Sequence, residues 1–266
     1  MWKTILDILF PIHCLGCGQE GDFVCLTCFK NLPLNTEKSK GNLLVASYYE
    51  NPLVKQIIHR YKYDFVKDLA KPLSLLMIKK LESEIGSLGI GESPEVGHYF
   101  VQESQKVRPQ KVGTFSKKVP LFRSDLCLVP IPLHKKRLRW RGFNQAELLA
   151  QEIGQKLNIP VINNLLIRTK NTLPQATIEN AQERRENINQ AFELVSFPRK
   201  RESRNKLIWI PNQVGNDKNS IEVRPRVTRV ILIDDISTTG ATLDQAAQAL
   251  LPLNPKQIWK LVVARG

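Results

Sequence analysis

The sequence contains no apolar run long enough to cross a membrane as a helix. Its apolar stretches, such as residues 5–12, are short and interrupted, whereas a membrane-spanning helix needs roughly 18–20 apolar residues. The first residues also lack a long apolar region followed by a small-residue cleavage site, so no export signal is predicted. No internal repeat is evident. Because 42% of the 266 residues are hydrophobic, disorder throughout is excluded, and we expect a soluble, cytoplasmic protein.

Positive charge is abundant but unevenly distributed. The chain has 39 Lys and Arg against 25 Asp and Glu, a net charge of +14. Residues 196–229 hold nine basic and three acidic side chains, or +6, which leaves +8 for the other 232 residues. A solvated basic loop therefore explains part of the charge, and composition alone is weak support for nucleic-acid binding.

The order of the apolar patterns predicts an α/β fold. Residues 52–85 have helical spacing and predict two helices, with a break or kink at Pro72. A buried strand at 126–129 precedes an amphipathic helix at 146–157. Further segments predict strands at 161–167, 191–195, 230–233 and 258–264, and a helix at about 241–251. Strands that alternate with helices imply a mostly parallel sheet, with ligands at the carboxyl ends of its strands.

Four of the five cysteines fall within fifteen residues. Cys14 and Cys17 form one C-x-x-C pair, and Cys25 and Cys28 form a second. Two such pairs can supply four thiolates in a tetrahedron, which predicts a structural zinc site in a module spanning 1–34. Redox pairs and two disulfides are the alternatives, and both fit a cytosolic chain poorly. Cys127 is predicted to be a buried strand residue.

The predicted strand at 230–233 is followed by two carboxylates and a small hydroxyl-rich loop that opens a helix. Asp234 and Asp235 can accept hydrogen bonds from a vicinal diol such as ribose hydroxyls. The helix start suits a phosphate dianion, because backbone N–H groups and the positive end of the helix dipole point at it. Together these features predict a sugar-phosphate cradle, whereas the alternative is a capped turn at a strand end.

A basic segment follows the strand at 126–129, with six basic side chains just ahead of a helix. Arg141, Gly142 and the N–H groups near Asn144 are candidates to hold a leaving pyrophosphate. His134 is a candidate general acid or pyrophosphate donor. The alternatives are a solvated basic loop and a simple surface histidine.

Residues 168–187 have the composition of a mobile lid. Arg184 and Arg185 are candidates to close over a pyrophosphate and exclude water from an electrophilic sugar. Salt bridges on a helix surface, with Glu179 or Glu183, are the alternative.

Residues 234–242 closely resemble the phosphoribosyl pyrophosphate signature of type I phosphoribosyltransferases. In that family the loop holds the 5-phosphate and the acidic pair lies along the ribose. The resemblance implies that phosphoribosyl pyrophosphate, or a related ribose 5-phosphate ligand, binds with magnesium at Ile236, Ser237, Thr238, Thr239, Gly240, Ala241 and Thr242.

The cysteine module, the segment around Arg141, the Arg-Arg-x-Asn stretch at 184–187 and the loop at 234–242 occur in the order typical of the ComF family. The resemblance covers nearly the whole chain. It implies an N-terminal zinc module on a type I phosphoribosyltransferase domain, here residues 35–266, and a role in DNA uptake during natural competence. Catalytic roles then fall to Asp234, Asp235 and Arg141, in a transfer of phosphoribose to a nitrogen acceptor that the resemblance does not identify.

Two segments look longer than the family's usual connections, at about 86–120 and 196–225. The second resembles a translated intergenic repeat, and we expect it to loop out of the sheet, because lengthening an exposed loop costs only about 0.6 kcal/mol per doubling. A rival hypothesis is a non-catalytic competence protein that keeps the pocket and acts on single-stranded DNA or a DNA-processing partner.

Overall fold

The structure is a computed structural model that describes residues 11–39, 41–88, 126–170, 190–195 and 229–266. Its helices are α1 (Leu26–Lys30), α2 (Pro52–Tyr63), α3 (Ala70–Leu88), α4 (Lys135–Arg141), α5 (Gln145–Leu157) and α6 (Ala241–Leu250). Its strands are β1 (Leu43–Tyr48), β2 (Leu126–Pro130), β3 (Leu166–Arg168), β4 (Phe192–Leu194), β5 (Arg229–Ser237) and β6 (Gln257–Arg265). Single 3-10 turns occupy Lys67–Leu69 and Leu251–Leu253. None of the described helices is long and apolar enough to cross a membrane.

The main sheet has four parallel strands in the order β1-β6-β5-β2. This confirms the predicted α/β class with a parallel sheet flanked by helices. Parallel strands end at the same edge of a sheet, so the carboxyl ends of β5 and β2 are neighbours. The residues that follow these two strands therefore meet at one edge, where open α/β sheets bind ligands.

Both faces of the sheet are buried, and alternate residues of a strand point towards opposite faces. In β5, Ile231 and Ile233 belong to the core shared with α2, α3 and α5. Val230 and Leu232 belong to the core shared with α6, β3 and β4. This alternation follows from the two-residue period of a strand and explains why β5 reads as a continuous apolar run.

The predicted helical stretch is two helices, but the break does not lie at Pro72. Helix α2 ends at Tyr63 with Asp64 as its C-cap, and Phe65 has a φ of 58°, a left-handed conformation that stops a helix. Pro72 lies in the first turn of α3, where backbone N–H groups have no partner within the helix. Proline is tolerated there, so the prediction of a break at Pro72 is wrong.

The predicted strand at 161–167 is also wrong in extent and in partner. Val161 makes only an isolated bridge to Leu128. The strand itself is β3, which pairs antiparallel with β4 in a separate two-stranded ribbon. The ribbon packs against α6 and thereby covers one face of the main sheet.

The cysteine module packs against α2 and the main core. Phe29 and Leu32 are buried in the same core as β1 and α3. A Cβ placed on Gly16 would lie 3.1 Å from Leu53 Cδ2, near the start of α2. The boundary at residue 34 stays a prediction. The predicted insertion at 196–225 lies outside the described residues, and only 86–88 of the other insertion are described, as the end of α3.

Candidate functional site

The acidic pair lies inside β5, because the strand continues through both carboxylates to Ser237. The predicted strand end at residue 233 is therefore too early. The two carboxylates lie near the end of the strand, and both Asp235 and Lys62 act electrostatically on Asp234. Asp235 is 6% exposed, whereas Asp234 is intermediate in exposure.

A cation from another element interacts with each carboxylate. Lys62, near the end of α2, places its Nζ 3.0 Å from Asp235 Oδ1. Arg168, the last residue of β3, interacts electrostatically with Asp234, and its guanidinium lies 5.4 Å from the Phe192 ring. Neither cation is among the residues that the sequence predicted for the site.

Burial and the neighbouring Asp235 carboxylate raise the pKa of Asp234 to about 7, and Lys62 and Arg168 partly oppose the rise. The N–H of Asp235 donates to Asp234 Oδ1 at 2.9 Å. Burial also lowers the pKa of Arg168 to about 10, so both groups are less easily charged than in water. The end of β5 thus combines two carboxylates and two cations in a partly desolvated setting.

The hydroxyl-rich loop begins where β5 ends and leads into α6. Gly240 has a φ of 84° and serves as the N-cap residue of α6, which favours glycine because other residues are strained there. The Oγ of Ser237 is buried and has no hydrogen-bond partner. A buried hydroxyl without a partner is costly, and this one lies at the start of a ten-residue helix whose first N–H groups favour an anion.

The basic segment after β2 forms helix α4 and is not a loop. Gly142, with a φ of 75°, ends this helix. His134 caps its start, with Nδ1 accepting from the N–H of Lys136 at 3.3 Å. Partial desolvation and nearby cations, among them Lys136 and Arg168, lower the pKa of His134. The role of His134 as a general acid or pyrophosphate donor stays a prediction.

Asn144 and Arg141 lie at the junction of α4 and α5. Asn144 uses its side chain within the fold, with Nδ2 donating to Ile131 O at 3.0 Å and Oδ1 accepting from Ala146 N at 3.2 Å. Arg141 Nη1 donates to Gln145 Oε1 at 2.9 Å, and its buried Nε has no partner. Arg141 therefore keeps a donor for a ligand, while Asn144 fixes the turn between β2 and α5.

The end of α2 is tied to this junction. The buried Tyr61 hydroxyl donates to Gln145 O at 2.8 Å, and the Arg141 guanidinium lies 5.9 Å from the Tyr63 ring. Lys62 lies between these two tyrosines. The chain segment that supplies Lys62 is thus fixed next to the acidic strand.

The Sγ atoms of Cys14, Cys17, Cys25 and Cys28 all lie within 4.8 Å of one another. Cys17 Sγ and Cys25 Sγ are 3.7 Å apart, close to the spacing of about 3.8 Å that tetrahedral Zn–S bonds of about 2.3 Å require. None of the five cysteines, including the buried Cys127, forms a disulfide. The four cysteines are therefore close enough to bind a structural zinc ion.

The pKa shifts of the clustered cysteine thiols are consistent with binding of a cation. Burial opposes ionisation of Cys14, but hydrogen bonds from the N–H groups of Cys25, Cys17 and Gly16 outweigh it and lower its pKa to about 6. The neighbouring Cys25, burial and the other sulfurs raise the pKa of Cys28 to about 12. Four thiolates so close together repel one another, and a divalent cation removes that penalty.

Asp234, Asp235 and the loop at 236–242 lie at or after the end of β5, and His134, Arg141, Gly142 and Asn144 lie in the segment that follows the neighbouring strand β2. Arg184 and Arg185 lie outside the described residues. Sequence patterns missed Lys62 and Arg168, because an isolated cation in a helix or strand carries no local signal of a tertiary ion pair.

No family model matches the chain. It is similar to Competence protein F of Haemophilus influenzae, at 27% identity over 260 residues, which are 96% of this chain and 86% of that protein. It is 34% identical to Competence protein ComFC of Bacillus subtilis over 139 residues, and 27% identical to DNA utilization protein YhgH of Escherichia coli K12 over 124 residues. Those alignments span 43% and 42% of the two relatives. Together with the parallel sheet and the four-cysteine cluster, these similarities support the resemblance of the chain to the ComF family.

Proposed function

We propose that this protein binds phosphoribosyl pyrophosphate at the carboxyl end of β5 and transfers its phosphoribose to a nitrogen acceptor. One continuous segment carries the proposal. The acidic pair and the buried, unpartnered hydroxyl of Ser237 lie on β5, and helix α6 begins shortly after them. Two cations interact with the acidic pair. In the reaction, the bond from the anomeric carbon to a pyrophosphate oxygen breaks and a bond to nitrogen forms. Pyrophosphate and one proton are released.

The roles of the residues follow from their positions. Ser237 and the backbone N–H groups at the start of α6 bind the 5-phosphate. Asp234 and Asp235, near the end of the strand, accept hydrogen bonds from the two ribose hydroxyls of the ligand. Arg141 and Arg168 stabilise the negative charge that develops on the leaving pyrophosphate. No side chain has to act as a nucleophile, because positioning and charge stabilisation suffice for this chemistry.

The acidic pair is not a ready magnesium site on the protein. Magnesium requires a near-octahedral set of oxygen ligands, whereas Asp235 Oδ1 is held by Lys62 Nζ at 3.0 Å and by the N–H of Ile236 at 2.7 Å. Magnesium would therefore arrive with the incoming ligand, and it would help to neutralise the charge of the leaving pyrophosphate.

The cysteine module is proposed to hold zinc for structure, since four sulfur ligands leave no open position for a reaction. Four thiols remain available to a metal only in a reducing compartment, which supports a cytoplasmic location. The domain division into 1–34 and 35–266 is part of this proposal.

Calorimetric titration with phosphoribosyl pyrophosphate and magnesium tests the pocket. Wild type should bind saturably with one site, and the variant carrying both Asp234→Asn and Asp235→Asn should bind at least 100-fold more weakly. Asp64→Asn is the control, because it removes one carboxylate from an exposed pair with Arg60 on α2. Wild type that fails to bind, or a double variant that binds equally well, refutes the proposal. Pyrophosphate release in a panel of nitrogen acceptors then tests turnover.

A second candidate function is contact with single-stranded DNA, in line with the names of the relatives. Its support is α4, where Lys135, Lys136 and Arg139 are exposed and Trp140 is 63% exposed. The Arg141 guanidinium lies 5.8 Å from the Trp140 ring. Exposed aromatic rings beside cations are typical of surfaces on which unpaired bases stack, each worth about 1–3 kcal/mol.

Fluorescence polarisation with a single-stranded oligothymidylate tests this surface. Trp140→Ala should weaken binding at least fivefold, and binding should decrease steeply with salt. Leu26→Ala, which removes an exposed apolar side chain from α1, is the control. Equal affinity in wild type and Trp140→Ala argues against this function, whereas binding that survives the double Asp variant separates it from the phosphoribosyl pocket.

A further inference from the structure

Lys62 occupies a fixed position beside the acidic pair. Its Nζ lies 3.0 Å from Asp235 Oδ1, and the two side chains are 18% and 8% exposed. The residue before it, Tyr61, is buried and bonded to Gln145 O, and the residue after it, Tyr63, lies beside Arg141. Lysine normally loses side-chain entropy when it forms an ion pair. Here the anchored end of α2 and the burial of the pair favour a lasting contact.

The charges that face the acidic pair come from three elements. Lys62 and Tyr61 lie on α2, Arg168 lies on β3, and the two carboxylates lie on β5. Adjacent carboxylates in a desolvated place repel each other, so the pair needs a nearby cation. Among the described residues, the cysteine module is the group of three or more ligating side chains close enough to hold a metal. The acidic pair contributes only two, and an ammonium group already contacts one of them.

We infer that Lys62 is the built-in counter-cation of this pair: it holds the Asp235 carboxylate in place, and it occupies the position beside the pair that a divalent cation bound to the protein would need. A divalent cation 3–4 Å from an ammonium group is repelled by it. The protein without ligand therefore binds no divalent cation at the pair, and magnesium enters only with the ligand. This inference rests on the proposed function for its ligand, but its first test does not need that ligand.

The first test uses Mn²⁺ as the probe, added to the zinc-loaded full-length protein and followed by calorimetry. Lys62→Met removes the ammonium group, and the variant should bind Mn²⁺ at least tenfold more tightly than wild type. Lys62→Gln serves as a second uncharged variant if Lys62→Met folds poorly. Lys62→Arg keeps the charge and should match wild type within twofold. The inference is overturned if removing the charge gives no gain in Mn²⁺ affinity.

Lys260→Met is the matched control. Lys260 is 19% exposed, much like Lys62, and pairs with the single carboxylate of Asp244. Because one carboxylate alone is a weak site for a divalent cation, this variant should gain no Mn²⁺ affinity. An equal gain in both Lys→Met variants would mean that net charge alone governs binding, and would also overturn the inference.

The second test measures phosphoribosyl pyrophosphate affinity in the presence of magnesium. Lys62→Met should bind it at least tenfold more weakly than wild type, and Lys62→Arg should recover to within about threefold. A Lys62→Met variant with wild-type affinity refutes the positioning role. If wild type itself does not bind the ligand, the proposed function fails, while the Mn²⁺ result still decides the role of Lys62.

Discussion

Replacing Asp234 by Asn should stabilise the protein, because the native fold disfavours the ionised carboxylate. A change in the pKa of Asp234 from 3.8 to about 7 corresponds to roughly 4 kcal/mol of lost stability when the group is ionised. Asn keeps the oxygen that accepts from the Asp235 N–H at 2.9 Å and carries no charge. At pH 8 we expect Asp234→Asn to raise the free energy of unfolding by about 2–4 kcal/mol.

The raised pKa of Asp234 also determines how the stability of the wild-type protein changes with pH. Asp234 binds its proton more tightly in the folded than in the unfolded chain, so its contribution to stability is full below about pH 4 and is lost as pH rises towards 7. Asp234→Asn lacks this loss. Its advantage over wild type should be complete above pH 7 and about half as large near pH 5.5.

Urea unfolding at pH 5.5 and 8, followed by circular dichroism, measures both quantities. Asp244→Asn is the control, because Asp244 is 55% exposed and its pair with Lys260 should contribute less than about 1 kcal/mol. The reasoning is refuted if Asp234→Asn is less stable than wild type at pH 8, or if its advantage is the same at both pH values. A gain in stability together with a loss of ligand binding would mark Asp234 as a residue retained for function.

Three further changes test other parts of the fold and site. Gly16→Ala should release zinc at least tenfold more readily in a chelator assay, because its Cβ would lie 2.7 Å from Cys28 Sγ; zinc retention equal to wild type would contradict this. Ser237→Ala should leave thermal stability unchanged or slightly higher, since it removes a buried hydroxyl without a partner. The same variant should bind phosphoribosyl pyrophosphate about tenfold more weakly. Unchanged affinity would show that Ser237 does not bind the phosphate. Tyr61→Phe should cost about 1–2 kcal/mol in urea unfolding, because the buried O of Gln145 loses its 2.8 Å donor, and a neutral result would show that water replaces the hydroxyl.

Local patterns predicted the elements whose side chains follow one period over many residues. The apolar run of β5 and the helical spacing of α5 and α6 all led to the correct type of element. The acidic pair and the hydroxyl-rich loop were placed at the carboxyl end of β5 because strand, loop and helix are contiguous in sequence. Residues that are close in the sequence are also close in space here, so a local pattern was sufficient to predict this part of the site.

Prediction failed where tertiary packing decides. No strand was predicted at β1, which, among the strands that the structure describes, pairs with β6 alone and lies at the edge of the sheet. No helix was predicted within the basic segment, yet it forms α4, capped by His134 and ended by Gly142. Lys62 resembles any lysine of an amphipathic helix, and its contact with Asp235 depends on how α2 crosses the sheet. Contacts between residues that are far apart in the sequence cannot be predicted from the spacing of neighbouring residues.

Helix α2 connects the cysteine module to the acidic pair and thereby sets the distance between them. Its first turn, at Leu53, touches the module, and its last turn carries Lys62 to Asp235. Twelve residues at about 1.5 Å each make a rod of roughly 18 Å. Deleting or adding one residue would turn one end by about 100° relative to the other, so that both attachments cannot be kept. The number of residues in this helix is therefore constrained even where their identities are free to vary.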